Sequence, residues 1–165
     1  MTIPPASDDQ FTPSTQEVAG YIKNRTVDGN NQYLGDFTPD TVVTDTEVES
    51  LIAMAEPMVL AALQWDPAVP NIVGSNVDAA RALIAMLSAI LVELTKYSEQ
   101  IARGVSPYTP LRELFDDLLA QKQLELGIVS REQGRIGLWD LVASQSGLPH
   151  FDFPDDPMVN WQTAF

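Results

Sequence analysis

The chain has 165 residues, and 45% of them are hydrophobic, which is enough for the core of one domain. Its formal charge of −14 argues against a protein that grips phosphate backbones, because such proteins need clustered Lys and Arg. The absence of Cys excludes a disulfide framework and a thiolate metal site.

The N-terminal residues predict a loose arm followed by a short helix. Residues 1–12 carry prolines and small polar residues and do not resemble a secretory signal, so we expect an arm. Ser14 and Glu17 have the spacing of a capping box, in which each side chain satisfies a free backbone N–H. The helix that they open is expected to end near Arg25 and to bury Val18, Tyr21 and Ile22.

Residues 27–43 form an unusually long connection for a compact domain. The segment Asp28-Gly29-Asn30-Asn31 predicts a turn, and it lacks the alternating ligands and the closing Glu of a calcium loop. Three apolar residues interrupt the polarity of this connection. We therefore expect it to dock, either on its own domain or on a neighbouring subunit, through Tyr33, Leu34 and Phe37.

A second capping box, Thr44 with Glu47, predicts the start of the next helix. Pro57 lies inside its apolar pattern, so we expect a kink or a division there. The helix is expected to end before Trp65-Asp66-Pro67. Its predicted buried stripe consists of Val48, Leu51, Ile52, Ala55, Val59 and Leu63.

Residues 78–103 predict the central helix of the fold, with Ser75 or Asn76 as its cap and Gly104 after its end. No charged residue falls between Arg81 and Glu93, and a helix that is apolar all round is buried on every side. The run is too short for a bilayer, which needs about 20 apolar residues. The main stripe is Ala80, Leu83, Leu87, Ile90, Leu94, Tyr97 and Ile101, and the back is Ala82, Ala85, Met86, Ala89 and Val92.

A fourth helix is predicted to start with Thr109 as the cap and Pro110 in the first turn, and to end at Gly127. Asp116 and Asp117 are adjacent, so they do not face each other on a helix, and we interpret them as a solvated face rather than an acid–base pair. The predicted apolar positions are Leu111, Leu114, Leu118, Leu119 and Leu124.

Residues 128–165 lose the helical period, and their prolines forbid a long helix. Acidic disordered tails are normally poor in aromatic residues, whereas this segment is rich in them. We expect an extended segment that binds another chain; the alternative is that it folds back on its own domain. The expected partner-binding residues are Trp139, Phe151, Phe153, Trp161 and Phe165.

These elements predict an all-α protein: a small bundle of about four helices around a buried central helix, with a long loop and extended arms. The predicted divisions are an N-terminal arm at 1–12, a helical domain at 13–127 and a C-terminal tail at 128–165. The single histidine, His150, lies in the tail, and no nucleophile, phosphate-binding or metal-binding motif is present. We therefore expect no enzymatic activity, no cofactor and no metal.

The layout of residues 13–127 resembles the head-to-tail connector (adaptor) proteins of long-tailed bacteriophages. The similarity is a short capped helix, a long loop, a second capped helix and then an alanine-rich helix. The residues that carry it are Glu17-Val18, Arg25-Thr26-Val27-Asp28-Gly29-Asn30, Leu34-Gly35-Asp36-Phe37-Thr38-Pro39-Asp40-Thr41, Thr44, Val48, Leu51 and Ile52.

The resemblance implies a structural virion protein at the neck, assembled in the host cytoplasm. Neighbouring adaptor subunits would form a ring, a dodecamer in this family, beneath the portal protein. The ring would extend the DNA channel and receive the next head-completion protein or the tail. DNA would pass through without specific binding, and no membrane is involved.

Two other functions compete with the adaptor. An acidic soluble inhibitor, or DNA mimic, would occupy a basic cleft and would need regularly spaced acidic residues on one folded surface. Here the acidity lies largely in loops and ends: residues 1–50 hold nine acidic residues, and 140–165 hold four with no Lys or Arg. A DNA-binding packaging subunit is disfavoured by the lack of a basic helix-turn-helix.

Overall fold

The computed structural model describes residues 10–128, and within this range the regular structure consists of five α-helices and one short 3₁₀ helix. No strand is formed in that part of the chain, so the predicted all-α class is confirmed there. In order, the elements are α1 (Thr15–Tyr21), the 3₁₀ helix (Lys23–Arg25), α2 (Asp45–Ala62), α3 (Ser75–Lys96), α4 (Ser98–Ala102) and α5 (Tyr108–Glu125).

Both predicted capping boxes are present, and both also tie their helix to α3. At α1, the Ser14 N–H donates to Glu17 Oε2 at 2.7 Å, and Arg81 of α3 contacts the same oxygen at 2.7 Å. At α2, the Thr44 N–H donates to Glu47 Oε2 at 3.0 Å. Lys96 at the end of α3 donates to Glu47 Oε1 at 2.5 Å, and this bond, together with the cap, lowers the pKa of Glu47.

The α2 helix continues through Pro57, so of the two predicted outcomes, a kink or a division, the division is wrong. All six residues of its predicted stripe are buried, on both sides of the proline, and α2 packs against α3. Packing therefore outweighs the single hydrogen bond that Pro57 removes. The helix ends at Ala62 through a turn in which Gln64 has a φ of 50° and the Trp65 N–H reaches the Leu60 carbonyl at 2.9 Å.

The central helix is shorter than predicted. It ends at Lys96 because Tyr97 leaves the helical region with φ −127° and ψ 28°, and the predicted remainder is the separate α4. The cap is Gly74 with a φ of 59° rather than Ser75 or Asn76, and no side chain caps this end. Gly104, with a φ of 70°, follows α4 where the end of the central helix was predicted.

The α3 helix is buried nearly all round, as its apolar back predicted. Residues 83–90 are buried without interruption, and α3 packs against α1, α2 and α5. Ser88 fits within this run because its hydroxyl donates to the Ile84 carbonyl at 2.8 Å. Ala82 is an exception to the predicted buried back, because it is exposed.

The α5 helix buries only part of the predicted face: Leu119 is buried and Leu111 packs against the core, as predicted. It starts at Tyr108, so Thr109 and Pro110 lie inside the first turn and Thr109 is not the cap. Its buried residues are Phe115, Leu119 and Gln123, whereas the predicted Leu114, Leu118 and Leu124 remain exposed. Gln123 fixes this rotation because its amide donates to the Ala62 carbonyl at the end of α2, at 3.0 Å. Gly127 ends the helix as predicted, with a φ of 71°.

The core extends further toward the N-terminus than predicted. Phe11 is fully buried and packs edge-on against Trp65, with ring centroids 5.2 Å apart. Thr12 donates to Glu56 of α2 at 2.8 Å. Residues 11 and 12 therefore belong to the folded body, which corrects the arm boundary at residue 12.

Candidate functional site: the loop of residues 27–43

The loop of residues 27–43 is held in a defined shape by backbone pairing. Val27 forms an isolated bridge with Tyr33, and Asp28 forms one with Thr41. The Leu34 N–H donates to the Thr26 carbonyl at 2.8 Å. On the other side, the Val42 N–H donates to the Val27 carbonyl at 2.9 Å. The short segment around Val27 is thus paired on both sides.

The predicted turn is formed by Asp28 itself. Its Oδ1 accepts from the N–H groups of Asn30, at 2.9 Å, and Gln32, at 2.7 Å. Asn31 adopts a φ of 61°, a left-handed conformation that Asn tolerates well. The carboxylate therefore stabilises the turn, and within residues 10–128 no group of three or more acidic or His side chains is placed to hold a metal ion.

Buried residues anchor the other half of the loop to the helices. The Thr41 hydroxyl accepts from the Thr38 N–H at 2.9 Å and lies 2.6 Å from the Val43 carbonyl oxygen. Phe37 is only 3% exposed and belongs to the core of its own chain. Of the two expected alternatives, docking on the same domain therefore holds for Phe37: its ring fixes the loop to the body, and it is no candidate for a contact with another subunit.

Three apolar side chains of the loop face solvent. Tyr33 is 57% exposed, Leu34 is 44% exposed, and Val42 is 57% exposed. Tyr33 and Val42 belong to the two segments that pair with Val27, so backbone pairing fixes the position of both residues. We call Tyr33, Leu34 and Val42 the loop surface.

A buried ion pair lies directly before the loop. Arg25 Nε donates to Glu93 Oε1 at 2.6 Å, and its Nη2 donates to Oε2 at 2.7 Å. Glu93 has no exposed surface. A bidentate pair of this kind fixes the position of both side chains as well as neutralising their charges. It joins the 3₁₀ helix, where the loop begins, to the last turns of α3.

Two further residues complete the surroundings of this pair. Ser106, in the link before α5, donates to Glu93 Oε2 at 2.6 Å. The Arg25 guanidinium lies 3.7 Å from the centroid of the Tyr97 ring, a cation–π contact. Burial raises the pKa of Tyr97. Tyr97 is also the residue that follows the end of α3, so the break between α3 and α4 lies beside the ion pair.

The Arg25–Glu93 pair and Val42 were missed from the sequence. Arg25 and Glu93 are 68 positions apart, and no local pattern links them. One signal was present: Glu93 lies among apolar residues on α3, where a buried carboxylate requires a partner. The predicted tail residues Trp139, Phe151, Phe153, Trp161 and Phe165 lie outside the described range.

Comparison with known proteins identifies no relative: no family model, no characterised protein and no solved structure matches the chain. In residues 10–128, no helix has the combination of length and apolar character needed to cross a bilayer.

Proposed function

We propose that this protein is a head-to-tail adaptor of a long-tailed bacteriophage: a structural protein that forms a ring beneath the portal and joins the capsid to the next head-completion protein or the tail. The observation that carries the proposal is the loop surface, three exposed apolar side chains on a backbone that the core holds in place. The resemblance of residues 13–127 to adaptor proteins supplies the identity of the partners.

The loop surface has the properties of a contact between subunits. Association costs less when the contacting segment is already ordered, because less conformational entropy is lost on binding. Here the Asp28 turn, the two bridges and the buried Phe37 provide that order. Tyr33 adds an exposed aromatic ring, the type of residue that dominates interface energetics. Leu34, the next residue in the sequence, adds a second exposed apolar side chain.

The other parts of the chain have roles in the same proposal. The helices packed around α3 form the body of each subunit in this proposal, and the N-terminal arm and the predicted tail at 128–165 would reach the portal or a neighbouring adaptor. The formal charge of −14 suits a channel that DNA crosses without binding, because an acidic wall repels phosphate. The ring would be located in the neck of the virion.

Changing the loop surface tests the proposal. We expect the combined variant Tyr33→Ser, Leu34→Ser and Val42→Ser to retain its helical circular dichroism, because all three side chains are exposed. Its assembly on the portal protein should fall at least about tenfold, since hot-spot residues contribute about 2 kcal/mol each. Co-sedimentation with portal and the yield of infectious particles measure this loss.

The matched control removes exposed apolar side chains elsewhere. Val69→Ser with Val105→Ser deletes two valines that are more exposed than those of the loop, and assembly should not change. Normal assembly of the loop variant would show that residues 27–43 are only a connector. An acidic inhibitor of a basic cleft would instead tolerate the loop variant and lose its partner at high salt.

A further inference from the structure

An apolar furrow lies between α3 and α5, along the N-terminal half of α3. Its volume is about 250 Å³. Ala79 and Ala82 of α3 leave it open because their side chains are short, and Leu118 of α5 forms a wall. The remaining lining residues are Leu83, Met86, Gln121, Lys122 and Glu125.

The furrow results from the rotation of α5. By burying Phe115 and Leu119 against α3, the helix turns Leu118 toward the rim, where it stays partly exposed. Ala82, on the facing side of α3, is exposed as well. Apolar surface is thus left open at a junction of two helices that are otherwise well packed.

The size of the furrow suits one aromatic side chain. An apolar cavity of about 150 Å³ holds a benzene molecule, so 250 Å³ exceeds what a single ring requires. The lining is mostly apolar, and its two charged residues, Lys122 and Glu125, form an ion pair with each other. A bulky aromatic residue would match the size and the apolar character of this lining.

The chain supplies such a residue within reach. After Ile128, ten residues precede Trp139. An extended stretch of that length reaches up to about 35 Å. Leu118 lies on α5 ten residues before Ile128, and the Ile128 N–H turns back to the Gln123 carbonyl, so the two residues are within about 15 Å. Leu138, Leu141 and Val142 surround Trp139 with further apolar side chains.

We propose that the indole of Trp139 from the same chain occupies the α3–α5 furrow. A tethered group so close to its site has an effective concentration in the millimolar range, which favours the chain's own tryptophan over that of another copy. This docking does not depend on the adaptor function, and it replaces the expectation of a partner contact for Trp139 alone.

The test compares two tryptophans of the full-length chain. Trp139→Ala should lower the Tm by about 4–10 °C, because it empties a docked site. Trp161→Ala removes the same side chain 22 residues further along and should leave the Tm within about 1 °C. Equal melting of Trp139→Ala and the unchanged protein would overturn the proposal.

A second experiment fills the furrow with a side chain of the helix itself. Ala82→Arg places a long, helix-favouring side chain at an exposed position, so the fold should be retained. If Trp139 docks there, adding Trp139→Ala to Ala82→Arg should cause no further loss of Tm, whereas additive losses would place the tryptophan elsewhere. The Trp139→Ala shift should be equal at about 1 and 100 μM protein; a shift that grows with concentration would overturn docking within one chain.

Discussion

Removing one partner of the Arg25–Glu93 pair should lower the free energy of unfolding by about 3–5 kcal/mol. In Glu93→Ala the Arg25 guanidinium remains buried without its carboxylate, and in Arg25→Ala the fully buried Glu93 keeps only the Ser106 hydroxyl. Domains are stable by about 5–15 kcal/mol, so either loss removes a large share. Urea denaturation followed by circular dichroism measures both variants.

The double variant Arg25→Met with Glu93→Leu separates the effect of the two charges on stability from the effect of side-chain packing. Apolar residues of similar volume avoid the cost of desolvating two ions, so the double variant should be more stable than either alanine variant. It should nevertheless speed amide exchange in residues 27–43, because the bidentate link that precedes the loop is gone. Losses below about 1 kcal/mol in both alanine variants would show that the pair behaves like an exposed one.

A charge placed on the central stripe of α3 should unfold the protein. Leu87 and Ile90 have no exposed surface, and an unpaired buried carboxylate costs several kcal/mol. We expect Leu87→Asp and Ile90→Asp each to abolish the cooperative thermal transition or to lower its midpoint strongly.

The control is the same change on an exposed helical position. Met54→Asp on α2 adds an identical charge at a side chain that is 56% exposed, and its melting should change by only a few degrees. Unchanged melting of Leu87→Asp and Ile90→Asp would contradict the assignment of α3 as the buried helix.

The elements that the sequence predicted correctly are those specified by nearby residues. The capping boxes at Ser14 and Thr44 act over three positions, and the stripe of α2 repeats every three or four residues. The C-terminal turn at Gly127 likewise needs only one residue that accepts a positive φ. These features hold whatever the helices pack against.

The errors concern features that depend on distant residues. Five leucines on α5 suggested one face, but the hydrogen bond from Gln123 to Ala62 and the burial of Phe115 rotate the helix so that three of them are exposed. Tyr97 fits the helical period, yet α3 ends there beside Arg25, which comes from the other end of the domain. Phe37 and Tyr33 are both aromatic residues in the same polar loop, so the sequence does not tell them apart. In the fold, Phe37 is buried and anchors the loop, whereas Tyr33 is exposed.

Negative-stain imaging with sedimentation, of the protein alone and mixed with portal protein, decides whether this chain is an adaptor. Copies that each carry −14 repel one another at low salt, and 0.1 M salt screens that repulsion over about 10 Å. We therefore expect a monomer alone and a ring of copies on the portal. A protein that never binds portal would contradict the adaptor function, and a stable ring at micromolar concentration and low salt without portal would contradict partner-dependent assembly.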